Sequence, residues 1–418
     1  MNNLKKYRFS DLYTMSSGIS SKPEQAGHGE SFLSFTTVFN NFFLPEELPD
    51  LMDTNQSEQE TYSIKKGDIF LTRTSETLDE LGMSSVALKD YEKATYSGFL
   101  KRLRPIKYGL TDEKYMGFYL RSSFFRKCMN NNAIMTLRAS LNEEIFSYLN
   151  LYLPEFNVQR ELGDFLFLLN KKIENNKKQI AKLDAIAALI YGYWFQQFDF
   201  PNNENRPYCR NGGKLIDNPN LKYKIPEGWK VHKLTDVVEW ISGAQPAKST
   251  FVYKETAGYV RFLQNRDYSS DAYKTYIKES KNNKLCDEYD ILMDKYGDAG
   301  SVRFGLSGAY NVALSKIKVN LPFGQEYIRN YLKSKPIYTY LKNACMASTR
   351  ASLNSDNLDY LYIPIPPEYV LQSFELINKD IINKMLVCMK ENRKLIEVRE
   401  WLSPMAVSGQ IRINEVKR

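Results

Sequence analysis

The 418-residue sequence predicts an α+β fold. It should hold two mixed α/β, strand-rich domains related by internal duplication, separated by two long helices that pair as an antiparallel coiled coil. Two observations predict this. The first is that short stretches occur twice in the same order. Lys5-Lys6-Tyr7-Arg8-Phe9-Ser10-Asp11-Leu12, followed by Ser17-Gly18, returns at 230–237, followed by Ser242-Gly243, 225 residues on. Gly67-Asp68-Ile69-Phe70-Leu71 returns as Tyr289-Asp290-Ile291-Leu292-Met293 after 222 residues. Arg138-Ala139-Ser140-Leu141-Asn142 returns letter for letter as Arg350-Ala351-Ser352-Leu353-Asn354 after 212. A slowly shrinking offset is what a duplicated unit with unequal insertions leaves behind. The second observation is that each copy closes on a long pattern of apolar residues at helical spacing.

Each copy opens on strands. Phe32-Leu33-Ser34-Phe35-Thr36-Thr37-Val38-Phe39, rich in β-branched and aromatic residues, predicts a strand. Residues 66–71 read as a turn entering a buried strand. In the second copy 259–263 and 290–293 take these parts. Ser315-Lys316-Ile317-Lys318-Val319 alternates cleanly and predicts a strand with its lysines outward.

Prolines then stop each copy. Tyr152-Leu153-Pro154-Glu155 and Ile363-Pro364-Ile365-Pro366-Pro367 hold the chain extended before the helices begin. The first helix places apolar residues at Leu162, Leu166, Leu169, Ile173, Ile180, Leu183, Ala187, Ile190 and Trp194, with Asn176 in phase. Alternating steps of four and three make a narrow seam, not the wider stripe of a surface helix. About 40 residues of it would span roughly 60 Å. The second helix offers Phe374, Ile377, Ile381, Met385, Cys388, Leu395, Val398 and Leu402, with Asn392 near its middle. Leu162, Leu169, Ile173, Ile180 and Leu183 are therefore expected to pair with Ile377, Ile381, Met385 and Leu395. The bland alternative makes each helix the core of its own domain. The boundaries that follow are 1–155 and 201–365 for the duplicated domains, the second including a linker rich in Asn, Pro and Gly. The helices take 156–200 and, with a tail, 366–418.

Composition narrows the function. Hydrophobic residues make up 43%, enough for a core in each half, yet no run of about 18 apolar residues offers a membrane span. The start carries no apolar leader. Five scattered cysteines form no CxxC pair, which argues against disulfide frameworks and zinc sites and suits a reducing cytoplasm. Net charge is +8, unevenly placed: residues 210–350 carry 23 basic against 14 acidic side chains. Lys101-Arg102-Leu103-Arg104 adds a basic stretch to the first half. Such local basic faces are the footprint of phosphate contact, although many ordinary surfaces share this balance. Only His28 and His232 are present, so histidine-based catalysis and metal sites have little to draw on. Gly212-Gly213-Lys214 lacks the spacing of a phosphate loop. No catalytic residue, metal ligand or cofactor site is expected.

With these residues in view, the whole chain resembles the specificity (S) subunit of type I restriction–modification systems. Two copies of a recognition domain, each followed by a long helix, carry the resemblance. So do Trp194-Phe195-Gln196-Gln197-Phe198-Asp199-Phe200-Pro201, the Gly-Gly-Lys loop and Ile225-Pro226-Glu227-Gly228-Trp229. One departure is Pro154-Glu155, where the family usually has Pro-Pro. The resemblance implies binding to double-stranded DNA through target-recognition domains 1 and 2. It also implies a complex with two methyltransferase (M) subunits and with restriction (R) subunits, in the cytoplasm and away from any membrane. S-adenosylmethionine would belong to the M subunits, and ATP and magnesium to the R subunits; none would bind this chain.

Two readers held apart by rigid helices would recognise two half-sites, with the spacer read by length. Arg73, Thr74 and Ser75, and Lys295, Tyr296 and Asp298, follow matched strands and are the expected base readers. Lys101, Arg102, Arg104, Arg261, Arg266, Lys316 and Lys318 are the expected phosphate contacts. Arg138 and Arg350 are expected to brace the approach to each helix. Two other classes stand beside this reading: a non-catalytic coiled-coil scaffold without DNA binding, and a fused methyltransferase–nuclease.

Overall fold

The computed structural model describes residues 4–20, 22–75, 81–132, 139–140, 146, 149–347 and 351–410. The chain divides into two compact units, residues 1–174 with 394–418, and residues 175–393. Each unit thus takes one duplicated domain together with parts of both long helices, so the helices are shared between units and form no unit of their own.

In the first unit, strands Tyr13–Ser17, Leu100–Pro105, Ile69–Thr72 and Ser84–Val86 form an antiparallel sheet in that order. Ile69–Thr72 is buried throughout, as its unbroken apolar run suggests. A second sheet orders Asp50–Met52, Ala26–Leu33 and Thr95–Tyr96. The expected strand over 32–39 divides at Ser34. The strand ends at Leu33, and Phe35–Asn40 is a helix whose N-cap, the Ser34 hydroxyl, accepts from Thr37 N. Aromatic and β-branched content suggested strand, but a capping hydroxyl reversed the preference locally.

The second unit repeats the plan. Val238–Ser242, Leu314–Val319, Ile291–Asp294 and Val302–Arg303 are ordered as in the first unit. Tyr276–Lys278, Tyr259–Leu263, Gly308–Tyr310 and Leu285–Cys286 form the companion sheet. Both copies are closed in the same way. Lys5–Arg8 pairs antiparallel with Asn150–Leu153, and Lys230–Lys233 with Tyr362–Ile365, immediately before each long helix. The first stretch of the sequence repeat is therefore the strand that fastens each domain shut.

The long helices are Phe156–Tyr191 and Glu368–Val407, about 54 and 60 Å at about 1.5 Å per residue. Within the first unit, Leu162 and Leu166 enter the core with Leu402, Ala406 and Val407. There Arg399 Nη1 donates to Asn170 Oδ1 at 2.7 Å. Within the second unit, Asn176 Nδ2 donates to Asn392 Oδ1 at 3.0 Å, and Ala187 packs with Ile381, Ile382, Met385 and Leu386. As numbers rise along one helix they fall along the other, so the contacts run antiparallel in each unit.

Of the expected pairing residues, Leu162, Ile173, Ile381 and Met385 are buried, and Leu169, Ile180, Leu183 and Leu395 are half-buried. Ile377 departs from the expectation: it is 40% exposed, and its neighbour Asn378 is fully buried instead. Counting four and three from Phe374 lands on Asn378, Ile381, Met385, Cys388, Asn392 and Leu395, the same rule the first helix obeys. An apolar-only reading slipped by one residue because a polar residue holds that position.

Candidate nucleic-acid interface

The main-chain hydrogen bonds of each unit gather the same loops onto one rim. In the first unit Ile19 N donates to Tyr96 O at 2.9 Å and Ser97 N to Leu33 O at 3.0 Å. Arg73 N donates to Phe99 O at 2.9 Å. In the second unit Ala244 N donates to Tyr310 O at 3.2 Å, Asn311 N to Leu263 O at 3.0 Å, and Lys295 N to Ala313 O at 2.8 Å. The loops after Gly18, Leu33, Thr72 and Tyr96 thus meet as do those after Gly243, Leu263, Asp294 and Tyr310.

Glycine is required at both Gly18 and Gly243. A Cβ there would overlap the backbone carbonyl of Ser97 or of Asn311. Beneath each rim a buried tyrosine ties two strands together. Tyr96 Oη donates to Ser17 O at 3.0 Å, and Tyr310 Oη to Ile241 O at 3.2 Å. The exact repeat lies at the same place. Ala139–Ser140 pairs with Thr74–Ser75, and Leu353 N donates to Lys295 O at 3.1 Å. Ala139, Ser140 and Leu353 thus brace the loops of the expected readers through backbone bonds; Arg138 and Arg350 lie outside the described residues.

The expected base readers all sit on these rims. Arg73 is exposed, and Thr74 and Ser75 are placed by their strand. Lys295 is half-buried with its ammonium over the Tyr296 ring, and Tyr296 is exposed. Asp298 is held firmly, accepting from Tyr338 Oη at 2.7 Å and from Arg303 Nη2 at 3.1 Å. Hydrogen bonds from Ser301 and Tyr338 hold its carboxyl below the usual carboxylate range.

The expected phosphate contacts divide. Lys101 Nζ donates to Ser17 Oγ at 2.7 Å. Arg102 is buried, its Nη1 donating to Ser63 O at 2.7 Å, and burial lowers its pKa. Arg104 grips Asp68 through Nε at 2.8 Å and Nη2 at 2.6 Å, and that bond raises the arginine's pKa. Arg261 pairs with Asp271 at 2.6 Å, Lys316 with Asp290 and Lys318 with Glu239, each at 2.9 Å. These side chains tie sheets and loops together. Arg266 differs: it is exposed on the rim, with its guanidinium 5.8 Å from the Tyr273 ring centre.

Phe99 and Tyr273, exposed by 67% and 72% at the rims, were missed by sequence reasoning. Only their places in loops flanked by matched strands could have signalled them. Among the described residues no group of three His, Cys, Asp or Glu could hold a metal ion. No described helix is long and apolar enough to cross a membrane.

Residues 5–185 and 226–384 match the family model described as the type I restriction modification DNA specificity domain. The chain is 23% identical over 308 residues to the type I restriction enzyme MjaIX specificity subunit of Methanocaldococcus jannaschii, covering 71% of this chain and 67% of that protein. It is 21% identical over 329 residues to the HindI specificity subunit of Haemophilus influenzae, covering 63% and 70%. A crystal structure of the type I restriction–modification S subunit from M. genitalium shares the fold at a TM-score of 0.58 and 12% identity, covering 97% of this chain and 96% of that one.

Proposed function

On the premise that this chain belongs to the type I restriction–modification DNA specificity family, whose domain it carries twice, we propose that it reads double-stranded DNA for a modification complex. Each rim takes one half of a bipartite target. The observation that carries this reading is the repetition of one rim, built by equivalent backbone bonds, with the expected readers at matching places. A rim of short loops braced from below is suited to presenting side chains to base edges, while the sheets keep those loops rigid.

The long helices then act as an antiparallel coiled coil that holds the readers and docks methyltransferase subunits, two per chain, with restriction subunits joining them. S-adenosylmethionine sits on the methyltransferase, and ATP and magnesium on the restriction subunit. The chain itself carries out no catalysis and works in the cytoplasm. Support comes from the contacts between the helices and from the exposed apolar side chains they still present, Leu168, Leu189, Leu376 and Val387.

The test is to express the chain with its methyltransferase subunit and map modified bases across the host genome. A two-part motif with a fixed unread spacer is expected. A continuous motif, or none that depends on this chain, would refute the reading.

A further inference from the structure

Arg266 stands apart from the other described arginines of its unit. Arg261 pairs with Asp271, Arg303 with Asp294, and Arg329 with Glu326. Arg206 and Arg210 pair with Glu204 and Asp199, and Arg393 donates to Gly305 O. Among the described residues the Arg266 side chain makes no hydrogen bond or ion pair, although its backbone carbonyl accepts from Ser269 N and Ser270 N; its guanidinium lies over the Tyr273 ring, 5.8 Å from its centre.

The loop that carries it is stiff at its base. Phe262 N donates to Thr275 O at 2.8 Å, closing the excursion. Gln264 N donates to the buried carboxylate of Asp267 at 2.6 Å, fixing the turn under Arg266. The Arg261–Asp271 pair ties the two sides together. Asn311 N, bonded to Leu263 O, sets this loop beside the neighbouring rim loop.

We infer that Arg266, laid on Tyr273, is a specificity-determining residue that reads a guanine in the half-site of the second recognition domain. The inference rests on the DNA-reading function proposed above. A planar fork of parallel donors matches the two acceptors, O6 and N7, that guanine shows in the major groove. Adenine offers an acceptor beside a donor there, so the same fork meets one partner and one repulsion. A phosphate contact would need only positive charge, which a lysine supplies as well. A cation–π contact with an aromatic ring restrains the guanidinium before DNA arrives and reduces the ordering cost of binding. Tyr273 is the positioning residue.

The experiment uses the full chain in complex with its methyltransferase subunit. Binding is measured on duplexes carrying the mapped target and each single base-pair change in it, at several salt concentrations. Arg266→Ala should weaken target binding roughly 5- to 150-fold and abolish discrimination at one G·C pair of one half-site. Arg266→Lys, which keeps the charge and loses the planar fork, should reduce that discrimination less than alanine does. Tyr273→Phe should retain it and Tyr273→Ala should erode it, with thermal midpoints unchanged in all four. Uniform weakening across all duplexes with a salt slope smaller by about one, with discrimination at every base pair kept, would make Arg266 a phosphate contact and overturn the inference. A wild-type complex that binds every duplex alike would overturn the functional reading, and this assignment with it.

Discussion

Asn176 donates its side-chain amide to the Asn392 carbonyl oxygen at 3.0 Å, and to Glu391 Oε2 at 2.7 Å, joining the two long helices at a buried polar point. Both asparagines fall on the four–three seam, where their neighbours are apolar. A polar pair in such a seam is satisfied in one alignment of the helices, so it selects register at a cost in stability. Replacing Asn176 alone by Leu takes one hydrogen bond from the buried Asn392 and should cost about 1–3 kcal/mol. Replacing both by Leu should restore or raise stability. A double-mutant cycle in thermal or chemical unfolding checks this; additive single effects would show that the pair is not coupled.

The shifted seam of the second helix gives a paired test. Ile381 is buried and Ile377 is 40% exposed. Ile381→Asp should cost several kcal/mol, or unfold the second unit, since a buried unpaired charge is expensive. Ile377→Asp should stay within about 0.5 kcal/mol of the parent. Equal losses in unfolding midpoint would contradict the burial pattern.

Arg104 and Asp68 form a two-pronged ion pair whose carboxylate is fully buried. Arg104→Ala should destabilise by about 3–5 kcal/mol because the buried charge is left unpaired. The DNA affinity of the protein that still folds should keep its salt dependence. A slope smaller by about 0.9 would instead mark a direct phosphate contact.

Gly18 and Gly243 sit where a side chain would strike the opposing backbone. Gly243→Ala should destabilise by about 1–3 kcal/mol through enforced backbone movement. It should also impair reading of one half-site while sparing the other. Calorimetry and motif mapping of the variant measure the two effects, and a silent substitution would mean that the two loops need not approach so closely.

Much of this was legible in the sequence because the duplicated stretches mark recurring structural needs. The 5–12 and 230–237 stretches are the strand that closes each domain and the one-turn helix that follows it. Gly18 and Gly243 mark equal close approaches, and the described part of the exact repeat, Ala139–Ser140 and Leu353, bonds to the loop at each rim. The seam of the first helix was readable as a four–three pattern, apolar except at Asn176, although the α-helix ends at Tyr191 and a π turn over 192–196 carries Trp194. Ile377 misled because Asn378 is polar and buried. Ser34 misled because a hydroxyl cap outweighs aromatic content over six residues. The basic stretch 101–104 drew attention by charge alone. Partners such as Asp68 and the Ser63 carbonyl are remote in sequence, so charges engaged internally looked like open ones.

Each rim is proposed to read its own half of the target. The most direct measurement replaces residues 234–361, which lie between the strands Lys230–Lys233 and Tyr362–Ile365 that close the second domain, with the matching region of a relative of different specificity. Modified bases are then mapped in a host carrying the chimera and its methyltransferase subunit. One half-site should change to the relative's, while the other half-site and the spacer persist. A chimera that rewrites both halves together would show that one composite surface reads the target, and would contradict the account.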